Sequence, residues 1–531
     1  METITDQNWL LSVGTFLPLV GVLVMMVIPR AEEQLHKLVT IVASGATLAV
    51  GIYTATQFDF DRANAMQFYV NEEWIEVIRS NYALGLDGIS MPLYLLSMVI
   101  TFLVAIYTWD NMPEAGNPKA FGILMLVLQI GLAGTFVAQD LVLFFVFFEV
   151  VLLPMYFMIG VWGGAQRQYA SLKFFLYTMF GSALMLVSIL ALFFQTGGES
   201  FGFLHFLDVA GTLDRDVQVW IFAGFFVGFA VKVPMFPFHT WLPDAHTEAP
   251  TQGSVILAAI MLKLGTYGFV RIAIPFMPNG AREWAPVIGI LAVIGIIYGA
   301  LGCLAQTDMK RLIAFSSVAH MGFTMLGIST LTEFGINAAI FGMVAHGLIT
   351  GMLFFVAGSV KHRYHTLEIS RLGGLLVSMP RLGWILGFCA MASLGLPGLA
   401  GFWGEFPAIL SAYQPGFGLS EELYRVLMVI AAVGTVFAAG YLLWLYQRTA
   451  FGEPKAEFAQ PVHSVSAAVN QEHDHDDHHV ELHDVNRIEW IAWTPILVAI
   501  VALGIYPKLL FDITDPAVSD LVARLGENLQ P

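Results

Sequence analysis

The residues able to do chemistry in this chain are a few ionisable side chains set in otherwise apolar stretches. An apolar segment beginning at Ile221 ends in Lys232, a proline-rich interruption follows, and a second apolar segment running to Val270 carries Lys263. Neither lysine has an acidic neighbour in sequence. An unpaired ammonium in a bilayer costs roughly 3 kcal/mol or more, so such a residue faces a bundle interior or a wet cavity and marks an ion or proton path. Glu149 is the single charged group between Leu141 and Ala165. His320 is the single titratable group between Leu312 and Thr330, and His346 holds that place between Phe334 and Val360. Glu405 follows a break at Leu396-Pro397-Gly398. Imidazole, with an ordinary pKa of about 6.5, passes protons in either direction. The chemistry open to Glu149, Lys232, Lys263, His320, His346 and Glu405 is proton transfer along side chains and intervening water. Each also has a plain structural alternative: a fixed ion pair for the acids and lysines, a hydrogen-bonded packing role for the histidines.

The elements that must position these groups are broken helices. Pro234 lacks an N–H and its ring clashes with the carbonyl of Ala230, so the helix ending near Lys232 cannot continue, and Pro237, Pro243 and Pro250 prolong the interruption. Freed carbonyls and the negative end of the half-helix favour the ammonium form of Lys232, while apolar burial favours the amine. A lysine balanced between the two can gain and lose a proton. The second interruption spans Leu396-Pro397-Gly398, Gly401 and Gly404, and places Glu405 in the first turn of a resumed half-helix, whose positive end favours a carboxylate. Interrupted segments at corresponding places in two halves point to an inverted-repeat transporter with its ion site at the breaks.

Composition sets the class. Of 531 residues, 57% are hydrophobic and 12% charged, with a mean hydropathy of +0.72, so the chain is read as a polytopic membrane protein. The apolar run from Trp9 to Ile28 lacks a basic leader and a small-residue cleavage site and is expected to be a retained span. Cys303 and Cys389 lie alone in apolar spans, which leaves no disulfide framework, iron–sulfur set or zinc site to build from cysteine. A net charge of -16 excludes a basic nucleic-acid footprint.

Apolar runs of about twenty residues predict about 14 transmembrane helices in an all-α fold, with two inverted five-helix repeats, each carrying one broken helix. The expected organisation is three N-terminal spans over 1–110 and a first repeat over 111–275 with its break near 232–243. A second repeat follows over 276–450 with its break near 396–405, then a polar His/Asp-rich cytoplasmic loop over 451–488 and a last span with its tail over 489–531. With the N-terminus outside, fourteen Arg and Lys fall on the inner side and eight on the outer, so both termini are expected outside. The stretches Asp59 to Arg79 and Glu199 to Asp216 read as ordinary polar connections. The tract from Glu472 to Asp484 reads as a solvated loop, with metal binding as its alternative.

Four runs carry a family resemblance. They are Phe148-Glu149 through Pro154-Met155-Tyr156, Lys232-Val233-Pro234 through Asp244-Ala245-His246, Ala249-Pro250-Thr251 through Leu262-Lys263, and Gly395-Leu396-Pro397-Gly398 through Phe402. They resemble the antiporter-like membrane subunits of respiratory complex I, NADH-quinone oxidoreductase, and of multisubunit cation/proton antiporters, over roughly residues 85 to 450. The resemblance implies proton translocation driven by quinone reduction elsewhere. Glu149 and Lys232 would be a coupled pair, Lys263 the central relay, His320 and His346 the bridge and Glu405 the terminal site. It implies no cofactor or metal in this chain, with flavin, iron–sulfur clusters and quinone on other subunits. The implied partners are the other membrane-arm subunits, two further antiporter-like ones among them, in a bacterial cell membrane. Family members with a long lateral helix are not matched, because little chain follows Lys508. The glutamate at the second break resembles one branch of the complex I subunits rather than the sodium/proton antiporters, which place a lysine there. A membrane subunit of a related proton-pumping hydrogenase or photosynthetic complex is the remaining alternative.

Overall fold

The computed structural model describes residues 2–458 and 483–529. Among them, twelve helices are long and apolar enough to cross a membrane. Two further spans are split, one into Arg215–Lys232 and Trp241–Glu248, the other into Pro380–Ser393 and Ala400–Ser411. The fourteen expected crossings are therefore present, and the two broken ones are those that Pro234 and Pro397 interrupt. Most of the tract from Glu472 to Asp484 lies outside the described residues.

Two helices form the centre of the bundle. Thr251–Phe276 carries Lys263 and Glu333–Tyr364 carries His346, and the apolar stretch of each is wholly buried. Around them stand spans with apolar faces turned outward, such as Phe180, Val187 and Phe194 on Arg167–Gln195 and Val429, Val433 and Val436 on Glu421–Ala450. Exposed apolar side chains on hydrogen-bonded helices are what a bilayer solvates. Helix starts are set by short polar side chains that accept otherwise unpaired N–H groups. The Asp140 carboxylate accepts from Val142 and Leu143 at 2.9 and 3.1 Å, and Asp308 accepts from Arg311 at 2.8 Å.

The loops fall into two sets, each joined to itself. At one end of the bundle Lys37 donates to the Trp109 carbonyl at 2.8 Å, Lys119 to that of Ile28 at 2.8 Å, and the Met309 amide to that of Leu367 at 2.9 Å. At the other end Ile4 bonds Met66, Leu141 bonds Phe201 and Gly416 bonds Thr330. Both termini belong to the second set, since the C-terminal helix Lys508–Asn528 packs its Ile513 carbonyl on Gly88.

Several local expectations need correction. The stretch taken as a polar connection from Asp59 to Arg79 instead holds most of an antiparallel β-hairpin, Gln67–Ile75 paired with Ser80–Leu86, so the fold is all-α with this one exception among the described residues. Within Glu199 to Asp216 lies a short helix, Phe203–Val209. The tail is helical because Leu510, Ala517, Val518, Leu521 and Leu525 recur on one buried face. The span Leu141–Trp162 is interrupted at Val151, because Pro154 lacks an N–H and crowds the carbonyl of Val150. Gly401 and Gly404 do not break the second split helix, whose interruption covers only 394–399. A Cβ on Gly401 would meet the Ala392 carbonyl at 2.1 Å and one on Gly404 the Gly342 Cα at 2.5 Å, so both are points of close approach. Glu405 accordingly lies in the second turn of the resumed helix, not its first.

Candidate functional site

The first break leaves Lys232 at a helix end without giving it a partner. Pro234 cannot donate to the Ala230 carbonyl, and the Met235 amide takes that place at 2.9 Å. The Val231 carbonyl is filled by the Trp241 indole N–H at 2.9 Å. The carbonyls freed by the break are thus occupied by the chain's own donors and do not solvate the lysine. Lys232 is buried, its Nζ has no hydrogen-bond partner, and its charge lies 4.6 Å from the centre of the Phe148 ring. Glu149, the next residue after Phe148, is half-buried at the end of the first piece of the kinked helix. The expected Glu149–Lys232 pair is not a contact ion pair. The two charges act on each other across a gap, with the Ser182 hydroxyl beside the carboxylate.

Lys263 is held differently. Its helix widens to π geometry at Leu257–Met261 and again at Phe269–Ala273, on either side of the lysine. Such turns leave carbonyls misaligned with their usual donors and recur at functional sites. Lys263 Nζ donates to the Ala258 carbonyl at 2.6 Å and meets His346 Nδ1 at 2.7 Å. The two helices come this close because a Cβ on Gly347, beside His346, would stand 2.7 Å from the Ala259 carbonyl. Gly265 in turn packs against Phe229 and Val233, which places the end of the first broken helix on the turn that carries Lys263.

Beyond His346 the chain of groups continues. The imidazoles of His346 and His320 have their centres 6.0 Å apart. His320 Nδ1 is hydrogen-bonded to Glu405, and its Nε2 lies 3.0 Å from both the Ser393 hydroxyl and the Tyr441 hydroxyl. His320, His346, Glu405, Ser393, Thr324 and Thr350 line one cavity of about 20 Å³, room for a single water. The hydroxyls of Ser316 and Ser317, within a turn of His320 in sequence, bond the Ile313 carbonyl of their own helix. Lys263, His346, His320 and Glu405 are therefore brought into one cluster, whereas Glu149 and Lys232 form a second.

Two groups that sequence reasoning did not single out lie on the same axis. His246 is buried against Phe354, stacked at 4.3 Å, with neither ring nitrogen partnered, and it lies within electrostatic reach of Lys263, His346 and Lys310. Lys310, counted from sequence among the inner-loop cations, is buried and bonds the Ala249 carbonyl. The signal for His246 was its place in the proline-rich interruption. Lys310 gave none, because it reads as a helix-flanking charge.

Several other charges form closed pairs. Arg271 meets Asp87 at 2.6 Å and Gln139 at 3.3 Å, with Asp87 also accepting from the amides of Ile89 and Ser90. At the opposite end Arg363 meets Glu489 at 2.7 Å. On the polar end of the first break, Asp244 receives Lys173 at 2.7 Å and Arg311 at 3.3 Å, which clamps the short helix Trp241–Glu248 to two neighbours. These pairs fix helices. Lys232, Lys263 and Lys310 have no carboxylate within ion-pair distance among the described residues.

Two broken helices, buried lysines without counter-charges and a run of imidazoles leading to a carboxylate define an antiporter-like membrane translocator. The chain belongs to the NADH:quinone oxidoreductase/Mrp antiporter transmembrane family, whose sequence profile matches residues 138–440. It is 41% identical to NADH-quinone oxidoreductase subunit M of Rhodobacter capsulatus, over 98% of each chain. Among solved structures, a chain of respiratory complex I from Thermus thermophilus with bound NADH superposes with a TM-score of 0.83 at 28% identity, covering 97% of this chain and 100% of that one. A chain of the Mrp complex from Dietzia shares the fold alone, with a TM-score of 0.81 at 20% identity over 98% of this chain and 100% of that one.

Proposed function

We propose that this chain is an M-type proton-translocating subunit in the membrane arm of a bacterial NADH-quinone oxidoreductase, and that Glu149, Lys232, Lys263, His346 and Glu405 are its proton sites, with His320 bonded to the last of them. The observation that carries the reading is the direct contact between Lys263 and His346 at 2.7 Å, an amine and an imidazole buried together with no carboxylate on either. Two bases in one dry contact share protons and do not lock helices, because only one of them can hold the charge cheaply. A change of charge in a neighbouring subunit acts on Glu149. The carboxylate's hold on Lys232 weakens, the lysine releases its proton, and that charge moves the proton of Lys263 through His346 toward Glu405. Lys232 can respond because it has no hydrogen-bond partner, so its charge depends on what Glu149 does.

The redox chemistry belongs to other subunits, which hold the flavin, iron–sulfur clusters and quinone. Two further antiporter-like subunits are among its partners in the membrane arm. The Lys119, Lys310 and Arg371 end of the bundle faces the cytoplasm, both termini lie on the periplasmic side of the inner membrane, and the apolar belt meets lipid. The test is Lys263→Ala and Lys232→Ala in native membranes, scoring NADH-driven quinone reduction and proton pumping together. Collapse of both activities in an assembled complex is expected. Unchanged activity would return the lysines to a structural role.

A further inference from the structure

We propose that the proton passes from His346 to Glu405 through a water in the cavity they share, and that His320 stands beside this path as a positioning residue. This rests on the relay proposed above and orders its far end. With the Lys263 ammonium donating to His346 Nδ1, the neutral ring carries its own proton on Nε2. That Nε2 is buried and has no acceptor from the protein, and buried N–H groups are seldom left so. His346 lines a cavity of about 20 Å³ with room for one water.

His320 has no nitrogen free to receive from that water. Nδ1 is given to Glu405, and Nε2 faces the hydroxyls of Ser393 and Tyr441 at 3.0 Å each. To take a proton from His346 it would have to release one of these contacts. Glu405 engages His320 through Oε1 alone and lines the same cavity, so its second oxygen is left to accept.

The step balances without any further reactant. Lys263 gives a proton to His346 Nδ1 as His346 Nε2 gives its proton to the water, and the water passes one to the carboxylate of Glu405. The products are a neutral lysine, a protonated Glu405, the other tautomer of neutral His346 and an unchanged water. Ser393 and Tyr441 supply hydroxyls, which donate or accept by rotation and keep His320 satisfied whether its ring is neutral or charged. Ser393 ends one half of the second broken helix and Glu405 lies in the other, so the break grips a single imidazole from both sides and aims the carboxylate at the cavity.

The test uses the assembled complex in native membranes and compares His346→Gln, His320→Gln and Glu405→Gln, with His320→Asn as the second variant at that position. Protons moved per NADH are measured beside the infrared difference band of the Glu405 carboxyl, assigned by its loss in Glu405→Gln. The carboxamide of His320→Gln donates to Glu405 but carries no proton onward. That variant is expected to turn over more slowly while keeping more than half of the protons per NADH. Its carboxyl band is expected to move yet still respond to turnover. In His346→Gln the protons per NADH fall at least about tenfold and the band stops responding. Loss in His320→Gln and His320→Asn as complete as in His346→Gln puts His320 in the path and overturns the proposal. Pumping that survives Glu405→Gln instead removes the relay reading itself.

Discussion

The two halves of the bundle solve the same problem with opposite contacts. In each, the second span starts on an aspartate cap, Asp140 or Asp308, and carries an ionisable group, Glu149 or His320. The fourth span of each half is broken. In the first half the charge at the break, Lys232, touches no polar atom and meets Glu149 only across a gap. In the second half Glu405 is bonded directly to His320, which Ser393 and Tyr441 hold from behind. A charge without a fixed partner responds to a distant change of potential, whereas a bonded one keeps its geometry. In the mechanism proposed above, the first half is the one that is switched and the second the one that receives. Arg271, two turns beyond Lys263, shows the third possibility, a buried cation locked to its carboxylate.

The strongest way to break this comparison is to treat a locked cation like an unpaired one. Arg271→Met strands Asp87 in the bundle and is expected to cost about 3–5 kcal/mol, read as loss of the assembled subunit from membranes and a lower melting temperature in detergent. Lys232→Met strands nothing, so assembly persists while NADH-driven pumping falls at least about tenfold, and Glu405→Gln matches it in pumping. A Lys232→Met complex that melts as early as Arg271→Met would mean that the lysine is a lock too.

Smaller effects separate the two breaks. Gly401→Ala pushes a methyl into the Ala392 carbonyl and is expected to cost about 1–3 kcal/mol of thermal stability, at the second break only. Trp241→Phe removes the donor to Val231 and is expected to cost about 1 kcal/mol, at the first break only, with pumping rates measured in parallel.

The smallest effect lies at the aspartate cap. Burial raises the Asp140 carboxyl above its ordinary value, against the amides and the Ser80 hydroxyl that favour its ionised form. The native state therefore holds this proton more tightly than the unfolded chain. The resulting stability is complete below the ordinary carboxylate pKa of about 3.9 and is lost as pH rises through the raised value. Melting curves across that acidic window should fall with pH in the wild type and lose this component in Asp140→Asn.

Much of the candidate site was legible in the sequence because a membrane makes isolated charges conspicuous. Glu149, Lys232, Lys263, His320, His346 and Glu405 each stood alone in an apolar run. His246 and Lys310 did not, the one hidden among prolines and the other among helix-flanking cations, so their burial on the axis could not be read. The hairpin at Gln67–Ile75 was missed because its outward residues Glu72 and Glu73 mask the strand signal, and the kink after Val150 because one proline in a long apolar run is compatible with a straight span.

By itself the sequence determined the number of crossings, the two broken spans and which loops share an end of the bundle. These follow from local constraints: apolar length, the missing N–H of proline and the cost of moving arginine and lysine across lipid. Only the tertiary structure decided which charges meet. Whether Lys263 reaches His346, and whether Lys232 reaches Glu149, depends on close approaches at Gly347 and Gly265 between helices far apart in the chain, and on the 4.6 Å between Lys232 and the Phe148 ring. Contacts of that kind are set by packing in three dimensions, where a single missing Cβ lets two helices draw close enough for one proton to be shared.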